Sequence, residues 1–214
     1  MPRLPKRLPL VPTIVVALAV AAMVALGVWQ LDRRQEKAAA LAIYSANAGK
    51  PPMAFPRYPV GDEFLFRKAS ANCLEVIGWS SQGGRSTVGG NGWRHIAQCR
   101  TGAEGPVLLV DMGVARDPKF RPQWKGGQIR GTIAQAPDHR PMFAGMFDDS
   151  PRGLMLISEA AAPGLEPTAP PDIASVPNNH LAYAVQWFLF AIVAVVIYLL
   201  ALGWREKRKG PGKI

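Results

Sequence analysis

Two long apolar runs, one near each end of the chain, dominate the pattern of hydrophobic and polar positions. Neither residues 11–31 nor residues 178–204 contain an Asp, Glu, Lys or Arg. At about 1.5 Å of rise per residue, residues 13–31 would form a helix roughly 28 Å long and residues 181–204 one roughly 36 Å long, against a hydrocarbon core of about 30 Å. The pattern therefore predicts two transmembrane helices, over residues 13–31 and 181–204.

The polar stretch between these runs has shorter patterns. The residues just after the first run, RRQEKAAALAIYSAN, continue a helical pattern, and the prolines of KPPMAFPRYPVG end it. Short segments of strand composition follow, each bounded by Gly, Pro or Asp clusters. They lie at residues 64–67, 73–79, 93–99, 107–112 and 128–134. We expect residues 32–180 to form an α+β domain on a small antiparallel sheet or open barrel, with residues 158–177 as an extended tether.

One pair of predicted strands places the two cysteines opposite each other. If CLEVIGW pairs antiparallel with GWRHIAQC so that Cys73 faces Cys99, then Trp79 faces Trp93 in the same register. Facing cysteines can be bridged, and an extracytoplasmic location would permit a disulfide. Two buried free thiols are the alternative. Without CxxC spacing, neither cysteine indicates a metal site or a catalytic thiol.

The formal net charge of +10 is concentrated at the ends of the chain. Residues 1–37 and residues 180–214 each carry +4, so the middle offers no basic stripe for nucleic acid. By the positive-inside rule, the basic termini, residues 1–12 and 205–214, belong in the cytoplasm and the domain lies outside it. High Ala, Arg and Pro usage favours a bacterial inner (plasma) membrane with a periplasmic domain. A cleaved signal peptide is the alternative for the first run.

Familiar catalytic motifs are absent from the sequence, which contains no GxSxG, HExxH, P-loop, Rossmann fingerprint or CxxCH. The glycine-rich GGRSTVGGNG lies inside the predicted hairpin and indicates a solvated loop. His95 alternates with apolar residues on a predicted strand, which indicates a structural role. His139 and the Asp148–Asp149 pair lie in predicted turns. The sequence thus gives little support for an enzyme.

The outward ends of the two predicted spans carry polar and aromatic residues. The first span ends in GVWQLDRR and the second begins with NNHLAYAVQW, and the predicted topology puts both at the same leaflet. Helical spacing predicts two faces and one small-residue seam. The face on the second helix holds His180, Tyr183, Ala184, Trp187 and Ala191; the cluster on the first holds Trp29, Gln30, Arg33 and Arg34; the seam is Ala17, Ala21 and Ala25.

A histidine at this boundary could be an axial ligand of haem iron. His180 lies near a helix N-terminus, where the helix dipole disfavours the charged imidazolium. A neutral imidazole with one free nitrogen is what haem iron requires. Arg33 or Arg34 could pair with the propionates. The alternative is structural, because aromatic residues are common at membrane interfaces and polar residues can cap helices there.

The terminal stretches resemble the surfeit locus protein 1 family, membrane proteins that assist cytochrome c oxidase assembly. The pattern G-x-W-Q-x-x-R is matched at Gly27, Trp29, Gln30 and Arg33, and the pattern N-x-H-x-x-Y-A-x-x-W-F at Asn178, His180, Tyr183, Ala184, Trp187 and Phe188. The centre is similar more loosely. Where the family has Asn/Asp-Arg-Gly-Trp after a strand, this chain has Asp111-Met112-Gly113-Val114.

The resemblance implies two spans, one extracytoplasmic domain, and a chaperone that helps to deliver haem a to subunit I of the oxidase. It implies transient haem a binding with His180 on the iron, and no enzymatic activity. The partners implied are subunit I, haem a synthase and membrane lipid. Two alternatives stay open: a scaffold that holds an oxidase assembly intermediate without binding haem, and a membrane-tethered enzyme or sensor.

Overall fold

The computed structural model describes residues 8–56, 60–138 and 153–208. Within them, two long helices flank seven strands. The elements are α1 (Leu10–Ala48), β1 (Met53–Ala54), β2 (Lys68–Cys73), β3 (Glu75–Arg85), β4 (Asn91–Arg100), β5 (Leu108–Ala115), β6 (Gly127–Gln135), β7 (Leu154–Ser158) and α2 (His180–Arg208). His139, Asp148 and Asp149 lie outside the described residues, as do the first seven residues and the last six.

The chain forms two compact units. The first, here called the helix pair, consists of α1 as far as Ala39 together with the C-terminal segment from Pro177 that contains α2. The second, the β domain, is residues 40–176. Both helices are long and apolar enough to cross a membrane. Two such helices on either side of an α+β domain confirm the predicted fold class, and α1 continues past the first apolar run as predicted.

The helix pair packs along a face that differs from the predicted seam. Ala17, Ala21 and Ala25 are all exposed, so that prediction is wrong. A spacing of four at every step drifts around a helix of 3.6 residues per turn, whereas alternating steps of three and four stay on one face. The less exposed positions of α1 follow the alternating pattern: Thr13, Val16, Val20, Met23, Gly27 and Gln30.

Close approach of the two helices depends on small residues. A Cβ added at Gly27 would lie 2.7 Å from the Phe188 ring. On α2, Ala184 and Ala191 are buried. Toward the opposite end of the pair, the hydroxyls of Thr13 and Tyr198 are hydrogen-bonded. Small residues therefore allow the helices to approach closely, and the hydrogen bond between Thr13 and Tyr198 joins them toward one end.

The sheet of the β domain is mixed rather than purely antiparallel. Its strand order is β1-β2-β6-β7-β5-β4-β3, in which β1 pairs parallel to β2 and β7 parallel to β5. β2 and β3 lie near opposite ends of this order, yet only Leu74 separates them along the chain. The sheet must therefore curve strongly to bring its ends together. Of the two predicted architectures, a small sheet or an open barrel, this curvature matches the open barrel.

Two segments of the β domain differ from the sequence-based expectation. Residues 64–67 are not a strand: a 3-10 turn covers Asp62–Phe64, Phe66 has φ of 66°, and β2 begins at Lys68. A positive φ at a bulky residue is incompatible with a regular strand. β7 was not predicted, because LMLIS is a short apolar run without the alternation that marks a half-buried strand.

The predicted tether is wrong for much of its length. The Ala162 amide donates to the Met112 carbonyl at 2.8 Å, and the Glu166 and Val114 amides each donate to the other residue's carbonyl. Residues 162–169, here called the strap, therefore pack on the domain as an irregular segment. Ala and Pro composition suggested an extended chain, and it could not show that this chain would be hydrogen-bonded to β5.

The β3–β4 hairpin is present, but its predicted register is wrong. Trp79 pairs with Ala97, and Trp93 pairs with Gly83. An irregularity between Val76 and Gly78 shifts the pairing. Cys73 is the last residue of β2 rather than part of the hairpin, and it forms a disulfide with Cys99 of β4, with the two Cα atoms 5.2 Å apart.

The larger core of the β domain is built from side chains on one face of the sheet. Its fully buried members include Ala97, Val110, Ile133 and Leu156 from four different strands. The last turns of α1 complete it, because Asn47 is buried and its side-chain amide donates to the carbonyls of Glu63 and Leu65 at 2.6 and 3.0 Å. These bonds fix the turn that leads into β2.

Candidate functional site

The predicted site residues of the two helices meet at one end of the helix pair. His180 is the first residue of α2, and it is half-buried. Its Nδ1 lies 2.8 Å from Oε1 of Gln30 on α1. The end of the first apolar run and the start of the second therefore lie together, as the topology argument predicted. No described residue forms a hydrogen bond with Nε2 of His180.

The second helix presents its aromatic residues on two sides. Ala184, Trp187 and Ala191 share the less exposed face with His180, as predicted. Tyr183 does not, because it is 51% exposed. The Trp187 ring contacts Phe190 edge-on, with centroids 6.1 Å apart. Trp187 therefore lies on the same face as the histidine, two turns further along α2, while Tyr183 belongs to the outer surface of the helix.

The two arginines at the end of the first apolar run differ in their partners. The Arg33 guanidinium lies 5.5 Å from the centroid of the exposed Trp29 ring and forms an ion pair of 2.7 Å with Glu36. Arg34 is exposed and forms no ion pair with a described residue. It follows Gln30 by four positions, which places it one turn further along the same side of α1. Arg34 is therefore the arginine whose charge is available to a ligand.

The described histidine of the β domain, His95, fits the structural role that its strand position predicted. His95 is buried on β4 and its ring lies 5.8 Å from that of Phe120. Burial lowers the pKa of His95 below its ordinary value, because desolvation disfavours the imidazolium. Among the described residues there is no group of three or more His, Cys, Asp or Glu side chains that could hold a metal ion.

The loosely matched central segment contains a buried carboxylate that sequence reasoning did not single out. Oδ1 of Asp111 accepts hydrogen bonds from the Thr168 hydroxyl at 2.7 Å and the Gly113 amide at 3.0 Å. Desolvation is the main influence on this group, and it raises the pKa of Asp111 above its ordinary value despite these bonds. The carboxylate thus fixes the strap to β5. The sequence did not indicate this role because Thr168, the hydroxyl partner of Asp111, lies in the segment that was interpreted as a tether.

Gly113 supports the same contact from the backbone. It has φ of 127°, and an added Cβ would lie 2.7 Å from the Glu166 carbonyl oxygen. Only glycine combines that conformation with so close an approach of the strap. Asp111 and Gly113 therefore act together, and their role in this chain is to hold the domain together.

The β domain also has a cavity of about 650 Å³ that no sequence-predicted site residue lines. Polar side chains, including those of Asn72, Gln128 and Arg130, share its wall with apolar ones such as Phe55 and Leu108. The described residues of its wall include no histidine or cysteine, so they offer no nitrogen or sulfur ligand to a haem iron. The helix pair is accordingly the candidate site.

These features define a class of protein: two apolar helices flank an α+β domain, and their facing ends present a histidine with one nitrogen held by the protein. The SURF1 family model matches residues 17–192 of the chain. The chain belongs to the surfeit locus protein 1 (SURF1) family. It is also similar to the SURF1-like protein of Monosiga brevicollis, with 22% identity over 222 aligned residues that cover 86% of this chain and 83% of that protein.

Family membership confirms the resemblance noted in the sequence. It supports a general role in the assembly of cytochrome oxidase, since this is a family of assembly factors. The match extends from within the first apolar run into the second, so it includes Gln30, His180 and the whole β domain.

Proposed function

We propose that the protein binds haem a transiently at His180 and helps to deliver it to subunit I of cytochrome c oxidase. Family membership supports the connection to oxidase assembly. The observation that supports haem binding is the arrangement of His180: Nδ1 is engaged by Gln30, and Nε2 has no described protein partner. Nε2 of His95 also has no hydrogen-bond partner, but His95 is buried, whereas His180 is half-buried and its Nε2 is therefore the more accessible.

The residues around His180 fit haem chemically. The imidazole supplies one axial nitrogen, and haem bound there would provide the iron and an extended apolar ring. Trp29 and Trp187 offer aromatic surface to that ring, and Arg34 offers an uncommitted guanidinium to a propionate. These side chains only bind and orient, so the protein acts as a chaperone and makes or breaks no bond in its cargo.

The cellular setting follows from the same proposal. Both termini lie in the cytoplasm of a bacterial inner membrane, and the β domain lies in the periplasm. Subunit I of the oxidase receives the haem and haem a synthase supplies it, while membrane lipid surrounds the exposed apolar side chains of the helix pair. One axial ligand suits transfer, because a carrier must release what it carries.

The test is oxidase assembly in the native host. A deletion strain is complemented with the wild-type gene, with His180→Ala or with Leu181→Ala, a matched change at the next, exposed position. We expect normal haem a per subunit I for wild type and Leu181→Ala, and a severalfold loss for His180→Ala at equal protein level. Normal haem content with His180→Ala would favour a scaffold that binds no haem. Normal oxidase in the deletion strain itself would favour an enzyme or sensor.

A further inference from the structure

We infer that Gln30 is a positioning residue: it holds His180 in the tautomer that carries its proton on Nδ1, which leaves the lone pair on Nε2. The choice of Nε2 as the iron-binding atom rests on the proposed function. The tautomer itself does not, and it can be measured in protein without haem.

The chemistry of the contact sets the tautomer. Oε1 of Gln30 is an amide oxygen, which can only accept a hydrogen bond. It lies 2.8 Å from Nδ1 of His180, and with the amide in this orientation Nδ1 is the donor. A neutral imidazole carries one proton, and Nε2 is then unprotonated. In water, a histidine side chain favours the opposite tautomer, with the proton on Nε2. The contact with Gln30 therefore reverses the intrinsic preference.

Helix packing makes this contact possible. Gln30 lies one turn beyond Gly27 on the inner face of α1, and the Phe188 ring lies so close to Gly27 that an added Cβ would be 2.7 Å from it. On α2, Ala184 lies one turn beyond His180 and is buried. With small residues next to both partners, the two backbones approach closely enough for an amide side chain to reach the ring.

The hydrogen bond prepares Nε2 as a ligand in two ways. It fixes the orientation of the ring, so less freedom is lost when a ligand binds. It also makes Nε2 a better electron-pair donor to a metal ion. Metal-bound histidines gain in the same way from a hydrogen-bond partner on their other ring nitrogen. A neutral amide polarises the ring less than a carboxylate would. Glutamine therefore gives an oriented ligand of moderate strength, which suits a cargo that must leave again.

The tautomer is tested by NMR of ¹⁵N-histidine-labelled full-length protein in detergent without haem, at a pH where the ring is neutral. His180→Ala identifies the His180 signals. In wild type we expect a protonated Nδ1 and an unprotonated Nε2. Gln30→Leu should move the proton to Nε2 in most molecules. Gln186→Leu, an exposed glutamine on α2, should change nothing. Wild type protonated on Nε2, or a Gln30→Leu variant that keeps the wild-type tautomer, would overturn the inference.

Haem titration separates this inference from the proposed function. We expect Gln30→Leu to bind haem at least about tenfold more weakly, and Gln30→Glu to restore binding and raise the iron–histidine stretching frequency above that of wild type. If the tautomer responds to Gln30 but wild type binds no haem, the positioning role stands and the proposed function fails. If His180 binds haem and Gln30→Leu alters neither tautomer nor affinity, only the positioning role fails.

Discussion

The helix pair and the β domain use polar side chains in opposite ways. In the β domain, two buried side chains bond to fixed protein partners: Oδ1 of Asp111 holds Thr168 and Gly113, and Asn47 holds two carbonyls of the turn before β2. In the helix pair, His180 is only half-buried and engages one of its two nitrogens. The bonds of Asp111 and Asn47 join segments of the fold, whereas His180 keeps a second nitrogen that no described residue engages.

The same contrast explains which sequence signatures are well matched. Asp111 and Gly113 occupy the family-like central segment, and each holds the strap in place. The residues between and after them, Met112 and Val114, are buried and apolar. Packing alone suffices at those two positions, so the Arg and Trp expected there from the resemblance are not needed for this fold. The ends of the two apolar runs match the family pattern more closely, and the proposed function assigns a role in haem binding to their side chains.

The largest expected effect comes from a clash in the centre of the sheet. An added Cβ at Gly131 would collide with the Ile157 carbonyl oxygen, and Gly131 pairs with strands on both sides. We expect Gly131→Val to lower the free energy of unfolding of the β domain by about 3 kcal/mol or more. Gly83→Val, at a β3 position with open space around the added atoms, is the control for thermal unfolding. Equal melting temperatures for the two variants would contradict this packing.

Loss of the disulfide should have the next largest effect. Cys73 and Cys99 are both buried, and the bond between them closes a loop with a sequence separation of 26. Replacing both by serine should destabilise the β domain by about 2–4 kcal/mol, measured by denaturant unfolding. Reduction of the unfolded wild-type protein should release two thiols. An unchanged thiol count would show that the cysteines are free.

These two effects also show what the sequence could and could not predict. The two helices followed from charge-free runs long enough to span a bilayer, and the cysteine pair from one antiparallel alignment. That alignment was wrong in detail, since Trp93 pairs with Gly83 and Cys73 belongs to β2. The alignment was displaced because the disulfide joins β2 to β4, so facing cysteines do not set the register between β3 and β4.

The site itself was predictable only as a set of residues. Helical spacing brought His180 and Trp187 to one face, and topology put Gln30 near them. The hydrogen bond from His180 to Gln30 depends on the crossing of two helices 150 residues apart in sequence, which periodicity within either helix does not encode. Tyr183 was placed on the wrong face because a step of three from His180 and a step of four to Ala184 fit a helical face equally well.

A third, intermediate effect separates the observed helix contact from the predicted seam. Gly27→Leu should push the helices apart at Phe188 and weaken their packing by about 1–3 kcal/mol. We expect the Nδ1–H signal of His180 to be lost in that variant, as read by ¹⁵N NMR. Ala25→Leu is the control, because Ala25 is exposed. If Ala25→Leu removed the signal and Gly27→Leu did not, the alanine seam would be the true interface.

The smallest expected effect concerns the buried carboxylate. Burial raises the pKa of Asp111 above its ordinary value of 3.8. At pH values between 3.8 and this raised pKa, the folded protein therefore binds a proton at Asp111 more readily than the unfolded chain does. The contribution of Asp111 to stability is thus lost as pH rises through this window. Asp111→Asn keeps the acceptor for Thr168 and removes the buried charge together with its ion pair to Arg94 at 3.7 Å, whose influence on Asp111 is smaller than that of desolvation.

We therefore expect Asp111→Asn to remove this pH dependence and to be more stable than wild type above the window, by about 1 kcal/mol. Denaturant unfolding across the acid range measures it, and below pH 3.8 the two proteins should show the same slope. A variant less stable than wild type at neutral pH would mean that the ionised carboxylate stabilises the strap.

The central claim, that the helix pair presents His180 to haem iron, is tested most directly by the visible absorption spectrum of detergent-purified protein titrated with haem. Wild type and the control Leu181→Ala should bind one haem per chain with the spectrum of a histidine-ligated iron. His180→Ala should lose that spectrum and most of its affinity, while the β domain unfolds at an unchanged temperature. Identical spectra and affinities for wild type and His180→Ala would contradict the account.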